Sequence, residues 1–270
     1  MASLLIKFIK SRLFLFSLSL FFLASCSPDS FESTLYQAQS LRSQKKYEQA
    51  LSKYSILIKK FPHHNDINKV LLETADLYDT IFQNSIMALK YYNQVSQQQK
   101  DPFSLRTAYE KMGEVYQKNG DWVMAIDSYQ KRLKYFPEDK GREEILFAIA
   151  DSHWNLKDYK QAEFVLNKWI HQFPGHVLSD KVYMRLGEIY FAEQRFKEAY
   201  STFEKVTQDY PKSSLKFEAY YNRAFCLEEM GDWNQALEQY KKIKDTYPNK
   251  DAIETKIKHL SERIKKSHRG

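Results

Sequence analysis

Four of the seven prolines, Pro137, Pro174, Pro211 and Pro248, stand 37 residues apart. The alanines keep the same spacing. Ala88, Ala125, Ala162, Ala199 and Ala236 also fall 37 apart, the last four each twelve residues before one of those prolines, and Ala50 with Pro62 repeats the offset. A period of this length, held along the chain, marks an array of one supersecondary unit that buries its apolar face only against its neighbours.

Two helical segments are readable in each unit. In AYEKMGEVYQKNGDWVMAIDSYQKRLKYFP, apolar residues recur at spacings of three and four on both sides of Asn119-Gly120. Glycine permits the turn between the segments. The closing proline lacks an amide hydrogen and disfavours helix in the residue before it, so it stops the second segment. The aromatic residue ahead of that proline, Phe61, Phe136, Phe173, Tyr210 or Tyr247, is expected to plug the corner. Nineteen Tyr and eighteen Phe against seven Gly fit a tightly packed chain with few backbone break points. Alanine at the crossing lets two helices approach closely, so the alanine and aromatic positions read as scaffold.

Tyr183, Leu186, Gly187, Tyr190, Phe196, Ala199, Phe203 and Pro211 fill the offsets of the tetratricopeptide repeat, and Tyr109, Met112, Gly113, Tyr116, Gly120, Trp122, Ala125, Tyr129 and Pro137 fill them again. The chain therefore resembles that family, which implies an all-α superhelical solenoid. About six helix pairs are expected across residues 31–250, beginning near residues 31, 69, 106, 143, 180 and 217. The second unit fits least well, with Asp76 and Asp79 at positions that are normally small and aromatic, and with Pro102 two residues late for its stop. Ile253, Ile257, Leu260 and Ile264 form the apolar seam of a capping helix with a basic tail over residues 251–270. Its Lys256, Lys258, Arg263 and Lys265 leave a hook for anionic lipid open as an alternative.

Upstream of the repeats, Lys7, Lys10 and Arg12 precede an apolar run from Leu13 to Leu23 that is too short to cross a bilayer, which needs about 20 helical residues. A basic segment and a short apolar segment read as an export signal over residues 1–25. Leu23-Ala24-Ser25-Cys26 resembles the lipobox of bacterial lipoproteins, which implies diacylglycerol and a further acyl chain such as palmitate on Cys26, cleavage before it, and a lipidated tether over residues 26–30. An uncleaved anchor or an ordinary signal peptide remains an alternative. Ser27, rather than Asp, after the cysteine implies by the same resemblance the outer membrane, periplasmic face. Removing residues 1–25 takes three positive charges from the chain's +7, too mild a surplus to argue for nucleic acid. Cys226 then has no partner in the mature chain and is expected to be a buried, inert thiol.

A phosphate-binding glycine loop, a nucleophile elbow, a zinc-binding histidine pair or a paired-cysteine site cannot be found in the sequence. Asp151-Ser152-His153 holds triad residue types on consecutive helical positions, which point in different directions. His63, His64, His171 and His176 read as solvated loop residues. The chain is read as non-enzymatic, with no cofactor, no metal and no small-molecule substrate. In tetratricopeptide proteins the first helix of each pair lines the binding groove. Carrying its offsets over places Phe147, Asp151 and Trp154, then Met184, Arg185 and Phe191, then Tyr221, Asn222 and Phe225 in one partner-binding groove. Glu110, Lys111, Glu114 and Lys118 of the third unit form a charged, solvated wall beside it. Such a layout suits an extended or helical peptide, although some of the rings can instead pack between neighbouring units. The lysine and asparagine of chaperone-binding carboxylate clamps are missing from the matching positions.

A lipobox followed almost directly by these repeats, with the opening unit LYQAQSLRSQKKYEQALSKYSILIKKFP, resembles the BamD family of outer-membrane β-barrel assembly lipoproteins. That resemblance implies envelope proteins or peptide segments as partners, among them a barrel-assembly partner. PKSSLKFEAYYNRAFCLEEMGDW is similar in phrasing to the CpoB family of periplasmic coordinators of constriction and peptidoglycan synthesis. That family brings a trimerising coiled coil for which residues 27–30 leave no room. An adaptor of another envelope complex is the remaining alternative.

Overall fold

The computed structural model describes residues 30–98 and 101–267. The export signal, Cys26 and most of the tether lie outside the described residues. The chain divides into two compact units, residues 1–108 and 109–270. Among the described residues there are thirteen α-helices and no strand. The first unit holds α1 (Phe31–Ser43), α2 (Tyr47–Lys60), α3 (Ile67–Thr80), α4 (Ser85–Gln98) and the first turns of α5 (Pro102–Lys118). The second holds the rest of α5, then α6 (Trp122–Tyr135), α7 (Arg142–Asn155), α8 (Tyr159–Gln172), α9 (Ser179–Ala192), α10 (Phe196–Asp209), α11 (Lys216–Glu229), α12 (Trp233–Ile243) and α13 (Lys250–Ser267). Odd-numbered helices are the first of each pair and even-numbered helices the second.

Every periodic alanine, Ala50, Ala88, Ala125, Ala162, Ala199 and Ala236, is fully buried. The facing position on the first helix is held by Ala38, Ala75, Gly113, Ala150, Gly187 and Ala224, so small residues meet at each crossing. At two of them even a methyl group is too much. A Cβ on Gly113 would lie 2.3 Å from the Tyr129 ring, and one on Gly187 would lie 2.6 Å from the Phe203 ring. Three of the five corner aromatics fold back on the first helix of their own pair: Phe61 on Phe31 (5.8 Å), Tyr210 on Tyr183 (6.0 Å) and Tyr247 on Tyr221 (5.4 Å), whereas Phe173 packs on Trp169 of the second helix (5.4 Å).

The turn inside each pair is a helix C-cap with one residue in the left-handed region: Lys45, Gln83, Gly120, Lys157, Gln194 and Gly231. In five of the six pairs an amide then reaches back five residues, as from Asp158 to the His153 carbonyl at 2.9 Å. The second pair differs. Its turn has four residues, 81–84, where the others have three. The added residue shifts α3 by one position, so the small site is Ala75 and the aromatic site is Tyr78, which stacks on Tyr91 at 5.7 Å. The expected assignment of Asp76 and Asp79 to those sites is thereby corrected.

Pro102 is also reassigned. It opens α5 as its first residue, where the missing amide costs no helical hydrogen bond. Asp101 caps that helix, its carboxylate accepting from the Phe103 and Ser104 amides at 3.2 and 3.0 Å. The Ser104 hydroxyl holds the Asp101 carboxyl below the usual range, its amide bonds adding to the effect. At the C-terminus, Ile253 and Leu260 are buried, with Ile257 and Ile264 packed beside them against Ala224, Leu227 and Tyr240, so α13 caps the second unit. Among the described residues no helix is long and apolar enough to cross a membrane.

Candidate functional site

The first helices carry side chains not consumed by the crossings, and within each unit these connect neighbouring pairs. In the first unit the connections are polar. Gln39 of α1 donates to Glu73 of α3 at 2.9 Å, Arg42 pairs with Asp76, and the buried Tyr54 hydroxyl donates to Glu73. An open cleft of about 500 Å³ lies along this row, between Gln39, Arg42, Tyr47, Glu73, Leu77 and Ile81. Asp76 reaches Arg42 because the longer turn has rotated it away from the crossing. The two charges then satisfy each other at the surface, where an ion pair contributes roughly 0–1 kcal/mol.

In the second unit the row changes character along the chain. Gln117 of α5 donates to the Ala148 carbonyl and the Ser152 hydroxyl of α7 at 3.0 and 2.9 Å, and accepts from the Tyr129 hydroxyl at 2.9 Å. Asp151 of α7 pairs with Arg185 of α9 at 2.7 Å, and Arg185 also donates to Glu188 at 2.6 Å. The Arg185 guanidinium lies 5.2 Å from the Trp154 ring. From α9 to α11 the connection is two rings, Phe191 stacked on Phe225 at 5.0 Å. From α11 to α13 it is Lys256, 3.0 Å from Glu228 and 4.3 Å from the Phe225 ring.

These contacts sort the residues expected in one groove. Asp151, Trp154, Arg185, Phe191 and Phe225 share the first-helix face and touch one another across pairs. Met184 does not belong there. It is 4% exposed and packs with Ala199, Phe203 and Cys226, because α9 turns it toward the crossing with α10. Phe147 is partly buried against the cluster around Leu166 and Trp169. Tyr221 is half-buried between Tyr240 at 5.6 Å and Tyr247 at 5.4 Å. Asn222 is also half-buried on α11. Phe191 and Phe225 are thus shared between neighbouring pairs, whereas Tyr221 packs within its own pair, and all three are partly buried.

The third-pair wall is less solvated than the sequence implied. Lys111 and Glu114 do form an exposed pair at 2.6 Å. Glu110, however, accepts at 3.1 Å from Arg132, a guanidinium only 2% exposed whose other end donates to the Lys140 carbonyl at 2.8 Å. Arg132 lies on the second helix at a position with no polar signature, and nothing in its spacing marked it as buried. Of the turn histidines, His63 and His171 are exposed as expected, while His64 and His176 are corrected. His176 accepts from the Leu178 amide at 3.2 Å, and His64 does the same for the Asp66 amide at 3.2 Å while stacking on Phe31. Cys226 is fully buried, and burial pushes its thiol up to about 12, well away from the reactive thiolate form.

Tetratricopeptide-repeat models match residues 32–64, 108–142, 143–170 and 179–249, together more than half of the chain. A Mus musculus protein named trafficking protein particle complex subunit 12 is 28% identical over 124 residues, 44% of this chain and 15% of that protein, so the chain spans only a small part of that relative. Two solved structures share the fold at low identity. MamA matches with a TM-score of 0.57 and 18% identity over 68% of this chain and 97% of its own. YrrB, titled a TPR protein with an unusual peptide-binding site, matches with a TM-score of 0.56 and 19% identity over 79% of this chain and 97% of its own. The 37-residue ruler, the small residues at every crossing and the matched segments agree, and the chain belongs to the tetratricopeptide-repeat family.

Proposed function

We propose that this chain is a non-enzymatic protein-interaction scaffold, tethered through a lipidated Cys26 to the periplasmic face of the bacterial outer membrane, with a BamD-like role in β-barrel assembly. The scaffold reading is carried by one observation: three successive first helices are linked by ring and charge contacts, α7 to α9 through Asp151 and Trp154 on Arg185, and α9 to α11 through Phe191 on Phe225. Rigid, half-buried aromatic groups beside fixed charges are the side chains that concentrate binding energy at protein interfaces. A peptide segment of a partner lying along α7, α9 and α11 would cover them. Tetratricopeptide repeats as a class support this reading.

The anchor and the envelope role rest on sequence. Leu23-Ala24-Ser25-Cys26 stands immediately before the repeats, and the opening unit resembles that of the barrel-assembly lipoproteins. Several acyl chains on one terminus hold a protein on a bilayer far more firmly than a single chain does. Intact mass of protein extracted from membranes tests the anchor. Acyl mass on a chain beginning at Cys26, abolished by Cys26→Ser, is the expected result, and a mature form starting elsewhere overturns it. For the role, depletion is expected to lower folded, heat-modifiable outer-membrane barrels while other lipoproteins hold their levels. Undiminished barrels after full depletion would refute a barrel-assembly role and leave the scaffold reading standing.

A further inference from the structure

Charge is spread unevenly along the chain. Residues 63–240 hold twenty-two lysines and arginines against twenty-seven carboxylates, whereas residues 31–62, the first helix pair, hold six against two. Five of those six cations, Lys45, Lys46, Lys53, Lys59 and Lys60, fall within KKYEQALSKYSILIKK, where Glu48 is the one carboxylate. That stretch is α2 and the two residues before it. Its buried stripe, Ala50, Tyr54 and Leu57, packs with α1 and α3, which leaves the lysines toward solvent. Ile56, 37% exposed, stands on the same side, three residues after Lys53 and three before Lys59. Lys45, Lys53 and Lys59 have no ion pair among the described residues.

The same pair adjoins the tether. Ser30 is fixed to α1, its hydroxyl accepting from the Ser33 amide at 3.1 Å, and four residue steps separate it from Cys26. Four steps span at most about 14 Å. The corner that follows Lys60 packs on the first residue of α1, with Phe61 5.8 Å and His64 3.5 Å from Phe31. Lys59 and Lys60 therefore stand beside the point from which the tether departs. Glu32 and Asp66, two carboxylates at this corner, lie 3.5 and 4.0 Å from His64. A bilayer holding Cys26 is never more than about 14 Å from Ser30, against a Debye length of about 8 Å at physiological ionic strength. Within that length anionic headgroups attract lysine, with a gain of roughly fivefold in partitioning for each one.

We propose that the solvent face of α2 rests on anionic phospholipid headgroups beside the anchor, its lysines on the phosphates with Ile56 among them, so that the first pair is a second attachment to the same bilayer. Acyl chains joined to a basic patch hold a membrane more firmly than either does alone. This inference rests on the lipidated Cys26 proposed above and adds the class of lipid. The other basic element, α13, lies in the second unit, where Lys256 is committed to Glu228 at 3.0 Å and Lys244 pairs with Glu254 at 3.1 Å.

The test uses the mature chain from residue 26 onward with Cys26→Ser, which carries no acyl group, so that vesicle binding reports the protein surface and does not depend on the anchor. It is sedimented with vesicles of phosphatidylcholine alone and of phosphatidylcholine mixed with phosphatidylglycerol. Binding to the mixed vesicles is expected to be about tenfold stronger at low salt, the difference shrinking at high salt. Lys45→Gln, Lys53→Gln and Lys59→Gln combined should remove that difference, a loss of about tenfold. Glutamine already occupies the left-handed position of Lys45 in two other pairs, at Gln83 and Gln194, so this variant is expected to fold, and circular dichroism checks it. Lys258→Gln, Lys265→Gln and Lys266→Gln combined, the same loss of charge on α13, should lower binding less than about twofold. Equal binding to the two kinds of vesicle, or a loss that is as large for the α13 variant as for the α2 variant, overturns the proposal. The two readings fail separately. Binding to phosphatidylglycerol that needs the α2 lysines, in a protein that carries no acyl mass when extracted from cells, keeps the lipid-facing surface and removes the anchor. Acyl mass on Cys26 with no preference between the vesicles keeps the anchor and removes the lipid-facing surface.

Discussion

On α5 the first-helix face carries Glu110, Lys111, Glu114 and Lys118; on α9 the corresponding stretch carries Met184, Arg185, Glu188 and Phe191. By residue type the first is a solvated wall of four charges and the second sets two apolar side chains beside two charged ones. The structure moves both toward the middle. Glu110 is tied to a buried guanidinium, Met184 is core, and Phe191 is half covered by Phe225. The position of a residue on a helix fixes the direction in which it leaves the backbone. What lies in that direction depends on the second helix of the pair and on the next pair, and these differ between α5 and α9.

The largest expected effect sharpens this contrast within one helix. Glu110→Lys removes the carboxylate facing Arg132 and places a second cation beside it, which is expected to cost about 3–5 kcal/mol. Glu114→Lys breaks an exposed pair and is expected to cost less than about 1 kcal/mol. Denaturant midpoints for the two variants decide the matter. Equal, small shifts would mean that Arg132 finds another counter-charge, for which Asp139, 4.0 Å away, is the available group.

Crossing positions come next. Gly187→Ala drives a methyl group into the Phe203 ring, and Ala199→Leu overfills a fully buried site on α10; each is expected to lower stability by about 1–3 kcal/mol. Ala192→Leu, at the exposed end of α9, should change it little. Uniform shifts in melting midpoint across the three variants would contradict the crossing geometry.

The fold was legible because its constraint is periodic. Alanine and proline at fixed intervals report close helix approach and chain reversal directly. One irregularity was also written in the spacing: Ala50 and Ala88 are 38 residues apart where every later interval is 37. The interval shows that a residue has been added but not where, so Asp76 could be assigned to the crossing when Ala75 occupies it. Pro102 was misread for a related reason, since a proline near a unit boundary serves equally to end one helix or to begin the next. The site was less legible. Trp154, Phe191 and Phe225 could be placed on one face from their offsets, but their stacking across pairs depends on how far apart successive first helices stand. The tie between Glu110 and Arg132 joins the two helices of a pair across the turn and has no periodic signature at all.

The rings themselves give the third comparison. Phe191→Ala and Phe225→Ala each remove one member of a stacked pair, expected to cost about 0.5–1.5 kcal/mol of stability from the ring contact itself. Partner binding should fall by about 2 kcal/mol if these rings are central anchors. Trp154→Ala should reproduce the binding loss and also leave Arg185 without its ring partner. Co-purification from native envelopes, set beside melting curves, separates the two effects. Undiminished partner recovery with a lowered melting midpoint would mean that the rings serve packing alone.

The smallest expected effect compares two turns that share a backbone and differ in side chain. Gly120 in the third pair and Lys157 in the fourth occupy the same left-handed position, at φ of 79° and 59°. A side chain in that region brings Cβ against the following carbonyl, at roughly 1–2 kcal/mol, and glycine avoids this while losing about 0.5–1 kcal/mol more on folding through its freer unfolded chain. Lys157→Gly should therefore stabilise the protein by up to about 1 kcal/mol, and Gly120→Lys should destabilise it by a similar amount. Nothing lies within 4 Å of a Cβ built on Gly120, so the second change tests backbone conformation without a steric clash. Opposite shifts of similar size in the denaturant midpoint are the expected result. If Gly120→Lys costs nothing, the turn tolerates a side chain at this position without strain, and the glycines at 120 and 231 are not required by their turns.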